Sequence, residues 1–182
     1  MGMVIKDGST GLTANVNAEN KLETESVSIH EQKHVNEIHG DCYSLIFQNT
    51  PTGAGDVFGY MKNTSETKKM YITSIKAAAA TDETIQIILN NTGTPGGTTA
   101  ATTPANRNSS SGKTATGDFQ QGNDITGLAG GYEIERILVD NATGSHKYTW
   151  DSEIIIDESK TISFQVVTGA ILVNMTVSFY YH

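Results

Sequence analysis

The sequence predicts an all-β protein, an antiparallel β-sandwich of jelly-roll-like build preceded by an extended N-terminal arm. Three observations carry that expectation. Near the C-terminus Ile171, Val173, Met175, Val177, Phe179 and Tyr181 alternate with Asn174, Thr176 and Ser178, the period of two that marks a strand with one buried face. Hydrophobic residues make up 37% of the chain and charged residues only 18%, the balance being rich in Gly, Ser, Thr and Asn, which suits short strands and turns better than helices. Finally, about eight strand-like runs recur with turn signals between them and no long helical pattern intervenes, the spacing of a sandwich or jelly roll.

Taken in order, residues 43–48, 57–61, 70–75 and 84–89 are apolar, β-branched or aromatic runs and are expected strands. Residues 132–140 form a further candidate, although Ile134, Ile137 and Leu138 would also suit one helical turn. Residues 153–157 make a short apolar strand, ended by the turn-like Asp157-Glu-Ser-Lys160. Ile162, Phe164 and Val166 alternate just before the terminal run, and Thr168-Gly169-Ala170 between the two predicts a tight hairpin. Residues 91–131 break the rhythm. They are poor in large apolar side chains and rich in Gly, Thr, Ser and Ala, and read as a long loop inserted in the body. The expected organisation is an arm and linker over residues 1–42 and a sandwich body over residues 43–182, with the insertion at 91–131.

Charge and cysteine content narrow the partners. A net charge of −8, with no Lys/Arg cluster larger than Lys68-Lys69, lacks the basic patch that phosphate contacts require, so no nucleic acid is expected. No apolar stretch approaches the ~20 residues that span a bilayer, so no membrane is expected either. The single Cys42 cannot form an intrachain disulfide, and residues 1–7 have neither the basic start nor the apolar run of a signal peptide; both suit folding in a reducing cytoplasm.

Four patterns raise chemistry. His30-Glu31-Gln32-Lys33-His34 fits H-E-x-x-H, which on a helix sets two zinc ligands on one face with the Glu as general base. Residues 23–29 before it read as strand, only Val35 and Ile38 could anchor such a helix, and no third ligand follows at the usual spacing. His30 and His34 are therefore taken as a chance match on a short exposed helix or turn, and no metal or other cofactor is expected. Cys42 lacks the paired ligands of a zinc site and the surroundings of a nucleophile, and reads as a surface or half-buried thiol. Ser111-Gly112-Lys113-Thr114 echoes the end of a P-loop, but the Gly required five residues before Gly112 is Arg107. Tyr43, Tyr60, Tyr71, Tyr132, Tyr148, Trp150, Tyr180 and Tyr181 raise sugar stacking, yet most lie within strand patterns and read first as core. No catalytic residue is assigned.

The N-terminal quarter carries a resemblance. Val4-Ile-Lys-Asp-Gly-Ser-Thr-Gly11, then Ala14-Asn-Val-Asn-Ala-Glu-Asn-Lys-Leu22, Ser26-Val-Ser-Ile29 and the stretch 31–43 ending Gly-Asp-Cys-Tyr resemble the opening of tailed-bacteriophage virion structural proteins. The rest resembles, generically, the β-sandwich bodies of capsid decoration (cement) proteins. The resemblance implies a non-catalytic protein made in the host bacterial cytoplasm and placed on the outer capsid surface of the virion. It implies a homotrimer that contacts the major capsid protein or another virion protein and stabilises the head shell. Val4, Ile5, Lys6, Asp7, Leu12, Val16 and Leu22 of the arm are then the candidate partner contacts. The alternatives are a neck, tail or fibre-associated virion protein, a carbohydrate- or receptor-binding module, and more remotely a zinc metallopeptidase built on His30-Glu31-x-x-His34.

Overall fold

Strand-forming side chains at period two generate nearly every element of the structure, a computed structural model that describes residues 4–6, 13–16, 22–23 and 31–182, with the backbone alone at 4–6, 13–16, 22–23, Thr143, Asp151 and Ser152. The chain forms two compact units, Met1–His30 and Glu31–His182. In the first, β1 (Val4–Lys6), β2 (Thr13–Val16) and β3 (Leu22–Glu23) form a three-stranded antiparallel sheet in that order.

The second unit is an antiparallel sandwich. It begins with a short helix α1 (Glu31–His34) that runs into a π-helical turn (Val35–His39). Eleven strands follow: β4 (Cys42–Asn49), β5 (Val57–Asn63), β6 (Met70–Ala79), β7 (Glu83–Leu89), β8 (Thr92–Ala101), β9 (Ala105–Asn106), β10 (Gly117–Ala129), β11 (Tyr132–Val139), β12 (His146–Ile156), β13 (Thr161–Val166) and β14 (Val173–Tyr181). One sheet has the order β11-β7-β13-β5-β10-β8 and the other β12-β6-β14-β4-β9. Leaving out β8 to β10, the chain crosses between sheets at almost every step, so the eight remaining strands stand four to a sheet.

The inward faces of both sheets meet in one core. Leu45, Phe47, Phe58, Met61, Ile72, Ile75, Ile85, Ile87, Ile162, Phe164, Val177 and Phe179 are all fully buried in it. Phe164 packs on Phe47 and Phe58 at ring-centroid distances of 5.7 and 6.5 Å, and Phe179 on Tyr43 and Phe119 at 5.5 and 5.8 Å. Burying each such side chain is worth about 1.5–3 kcal/mol.

Two expectations need correction. Residues 162–166 and 173–181 do not form a hairpin, because β13 pairs with β5 and β7 in one sheet while β14 pairs with β4 and β6 in the other. The turn at Gly169 (φ 80°) is an arch between sheets, and period-two alternation looks the same whichever sheet a strand joins. Nor is residues 91–131 a long loop. β8 and β10 run antiparallel from Thr92 opposite Ala129 to Ala101 opposite Gln120, and β10 also pairs with β5. Thr is a good strand former, and the glycines sit where the ladder is crowded: a Cβ at Gly122 would collide with the Thr98 carbonyl oxygen.

Candidate functional site

Each residue singled out by the sequence now has a place, or falls outside the description. In the N-terminal unit Val4, Ile5 and Lys6 lie on β1, paired along the backbone with Asn15, Ala14 and Thr13. Val16 on β2 pairs with Leu22 on β3. Asp7, Leu12 and His30 lie outside the described residues. His34 is exposed on α1, its ring edge-on to that of His39 at 5.9 Å. Among the described residues no three His, Cys, Asp or Glu side chains come together as a metal site.

α1 buries none of its own residues; the turn after it inserts Val35. Val35, Cys42, Tyr180 and Tyr71 form a small apolar cluster on the outer face of β4, β14 and β6, with Tyr71 and Tyr180 stacked at 5.1 Å. Cys42 is therefore buried, where the sequence suggests a surface or half-buried thiol. Alternation puts it on the outward face of β4, and α1 then covers it, its thiol donating to the Gln32 carbonyl oxygen at 3.4 Å. Burial pushes the Cys42 thiol up to about 11, so it stays protonated at neutral pH and is a poor nucleophile.

Two buried carboxylates, Asp41 and Glu83, are not singled out by the sequence. Asp41, at the foot of β4, accepts from Lys68 Nζ at 2.6 Å and from Lys113 Nζ at 3.1 Å. Burial alone would raise its carboxyl, but the hydrogen bonds and charges of the two lysines prevail and hold it below the usual carboxylate range. Lys113, from the P-loop-like stretch, thus serves a carboxylate. With Ser65, Thr67, Thr114 and Tyr181 these groups line a polar cleft of about 420 Å³. Tyr43 beside it is pushed up to about 12, first by burial and then by the Asp41 charge. An ionised Asp41 locked between cations, beside phenols that stay protonated, is a tie between segments rather than an acid–base pair.

The second is Glu83, 3% exposed. Its Oε1 accepts from the backbone N–H of Thr84, Val167 and Thr168 at 2.8, 3.2 and 2.8 Å, and its Oε2 from that of Gly169 at 2.9 Å. This carboxylate holds the arch between β13 and β14 against the start of β7. Neither role has a local signal, because both depend on strands distant in the chain meeting at one end of the sandwich.

The remaining feature is one margin of the body. β11 ends the six-stranded sheet and β12 the five-stranded one, and the short connection between them places both edges at the same side. Tyr132, Ile134, Leu138 and Ile155 are exposed there. Between the edges opens a cleft of about 410 Å³ lined by Tyr132, Ile134, Glu135, Trp150, Glu153 and Ile155. Tyr148 stacks on Trp150 at 6.2 Å and its hydroxyl donates to the Leu138 carbonyl oxygen, tying the two edge strands together. Of the expected aromatic residues, Tyr43, Tyr60, Tyr180 and Tyr181 are core, and Tyr132 is the exposed one. This margin joins apolar surface to a strand edge with no further neighbour among the described residues, the combination that favours association with another protein surface.

No protein-family model matches this chain, and comparison with curated proteins and with solved structures yields no match.

Proposed function

We propose that this chain is a non-catalytic structural protein of a tailed-bacteriophage virion, a decoration protein that self-associates on the outer surface of the head and stabilises the shell. The observation that carries the reading is the β11/β12 margin of the body, where Tyr132, Ile134, Leu138 and Ile155 are exposed. A chain that leaves apolar side chains on an open strand edge is shaped for subunit contact. The resemblance of residues 4–43 to virion proteins supplies the setting, and the strand order agrees with it: β4-β14-β6-β12 facing β5-β13-β7-β11 is the arrangement we read as a jelly roll, extended by β8 and β10 on one sheet.

The mechanism is linkage. A protein that binds the assembled shell and not its free subunits stabilises the shell by RT ln(1 + [L]/Kd), about 2.7 kcal/mol per site at one hundred times Kd. The test is to mix purified protein with undecorated phage heads and to measure co-sedimentation and the temperature at which the heads release DNA. Saturable binding with a raised release temperature is expected; heads that neither bind the protein nor gain stability refute the reading.

One observation favours a second reading, a carbohydrate-binding module. Tyr132 and Trp150 share their cleft with the carboxylates of Glu135 and Glu153, and sugars are held by aromatic faces and hydroxyl-accepting carboxylates. Binding to immobilised glycans that is lost in Tyr132→Ala would bring this reading forward.

A further inference from the structure

We infer that the outer edge of β11 pairs antiparallel with β11 of a second copy of this chain, around a two-fold axis that passes between Ile134 and Glu135. The inference deepens the proposed function by naming the self-association surface, and it rests on that reading for its biological setting only.

The argument begins with the irregularity in β11. Its register against β7 shifts between Glu133 and Glu135, so Glu133 stands opposite Ile88, Glu135 opposite Ile87 and Arg136 opposite Gln86. Ile87 faces the core, which turns Glu135 towards the opposite sheet and into the cleft. Glu133 and Arg136 both fall on the outer face, where Arg136 donates to Glu133 Oε1 and Gln86 Nε2 donates to Glu133 Oε2 at 2.7 Å. Three residues apart in the chain, an acid and a base therefore share one face of an edge strand.

That spacing is self-complementary. With the axis between Ile134 and Glu135, Glu133 stands directly opposite the second copy's Arg136, and the reciprocal pair forms by symmetry. Directly opposed residues of an antiparallel pair project to the same side, so the outward Glu133 meets an outward arginine. The same register sets Tyr132 against the second copy's Ile137, both directed between the sheets. A one-step slip either way is penalised. An axis through Ile134 sets the outward Glu133 opposite the second copy's cleft-facing Glu135, so the faces no longer match, and an axis through Glu135 puts two copies of Glu135 face to face. Facing and charge on this edge thus select one pairing and reject its neighbours, which is how an open edge is used without general aggregation. Residues Tyr132 to Arg136 are exposed without a break, so the body unit offers a strand length that a neighbour can reach. The pairing makes the unit two copies, in place of the three that the resemblance to decoration proteins implies.

Sedimentation of the full chain from micromolar to millimolar concentration tests this. The expected species is a dimer. Arg136→Glu replaces both cross-strand pairs with like charges and should raise the dissociation constant by about ten-fold or more. The double variant Glu133→Arg/Arg136→Glu restores complementarity and should restore the dimer. Tyr132→Ser is a second, uncharged probe and should weaken the dimer too, with thermal unfolding of each variant confirming an intact fold. A monomer throughout, a trimer, or a dimer indifferent to Arg136→Glu overturns the inference. Binding to phage heads is measured separately: a monomer that still binds heads leaves the proposed function standing, and a β11-dependent dimer that does not bind them removes the function while keeping the pairing.

Discussion

Asp41 and Glu83 show two ways of keeping a carboxylate out of water. Asp41 is neutralised by two ammonium groups, whereas Glu83 is solvated by four backbone N–H groups. The first is sensitive to acid. Asp41 titrates lower folded than unfolded, so its contribution is complete above the unfolded value near pH 4 and is lost as the pH falls through the folded one. Asp41→Asn is expected to cost about 1–3 kcal/mol at pH 7, towards the low end because both lysines are half exposed. The gap between the urea midpoints of the two proteins, measured from pH 7 to pH 2, should begin to narrow below about pH 4; a gap that is unchanged between pH 7 and pH 2 contradicts the account. Glu83→Gln leaves an amide nitrogen facing a backbone donor at the buried arch and should cost about 1–3 kcal/mol at neutral pH, read from the same midpoints.

Among the elements, the β8–β10 pair most changes the picture of the chain. A Thr/Gly-rich stretch becomes strand because β10 is paired on both sides, with β5 and with β8. Its two register shifts, between Gly122 and Asp124 and between Thr126 and Leu128, let the strand bend. Gly122→Ala places a methyl group against the Thr98 carbonyl and should force β8 away from β10, at about 1–3 kcal/mol of overpacking strain. Hydrogen exchange is the discriminating measurement. Amides of β8 should lose protection while those of β5 and β13 keep theirs, and uniform protection would show that the close approach is not structural.

At the scale of the whole Glu31–His182 unit, stability rests chiefly on the large core shared by its two sheets. Phe164 lies at its centre, fully buried and in ring contact with Phe47 and Phe58. Phe164→Ala should cost about 3–5 kcal/mol in chemical denaturation; a loss below 1 kcal/mol would mean that the sheets repack around the gap. Among the described residues, those of that core belong to the Glu31–His182 unit.

Local pattern was enough to reveal the all-β class, the strands at 43–48, 57–61, 70–75, 84–89 and 162–166, and the inward faces of most, because alternation is a property of consecutive residues. His30-Glu31-x-x-His34 is set aside on sequence grounds for want of apolar anchors; α1, which carries Glu31 and His34, buries none of its own residues. Partner choice among strands is different. Whether β13 pairs with β14 or arches away from it, and whether a Thr/Gly stretch finds a strand on each side, depends on residues far apart in the chain meeting at one sheet. The burial of Cys42, Asp41 and Glu83 follows from those meetings, as does the open margin at β11 and β12. Sequence alone determined the faces of the strands; tertiary structure decided which faces and edges were covered, because coverage is settled by contacts between distant segments that no local period encodes.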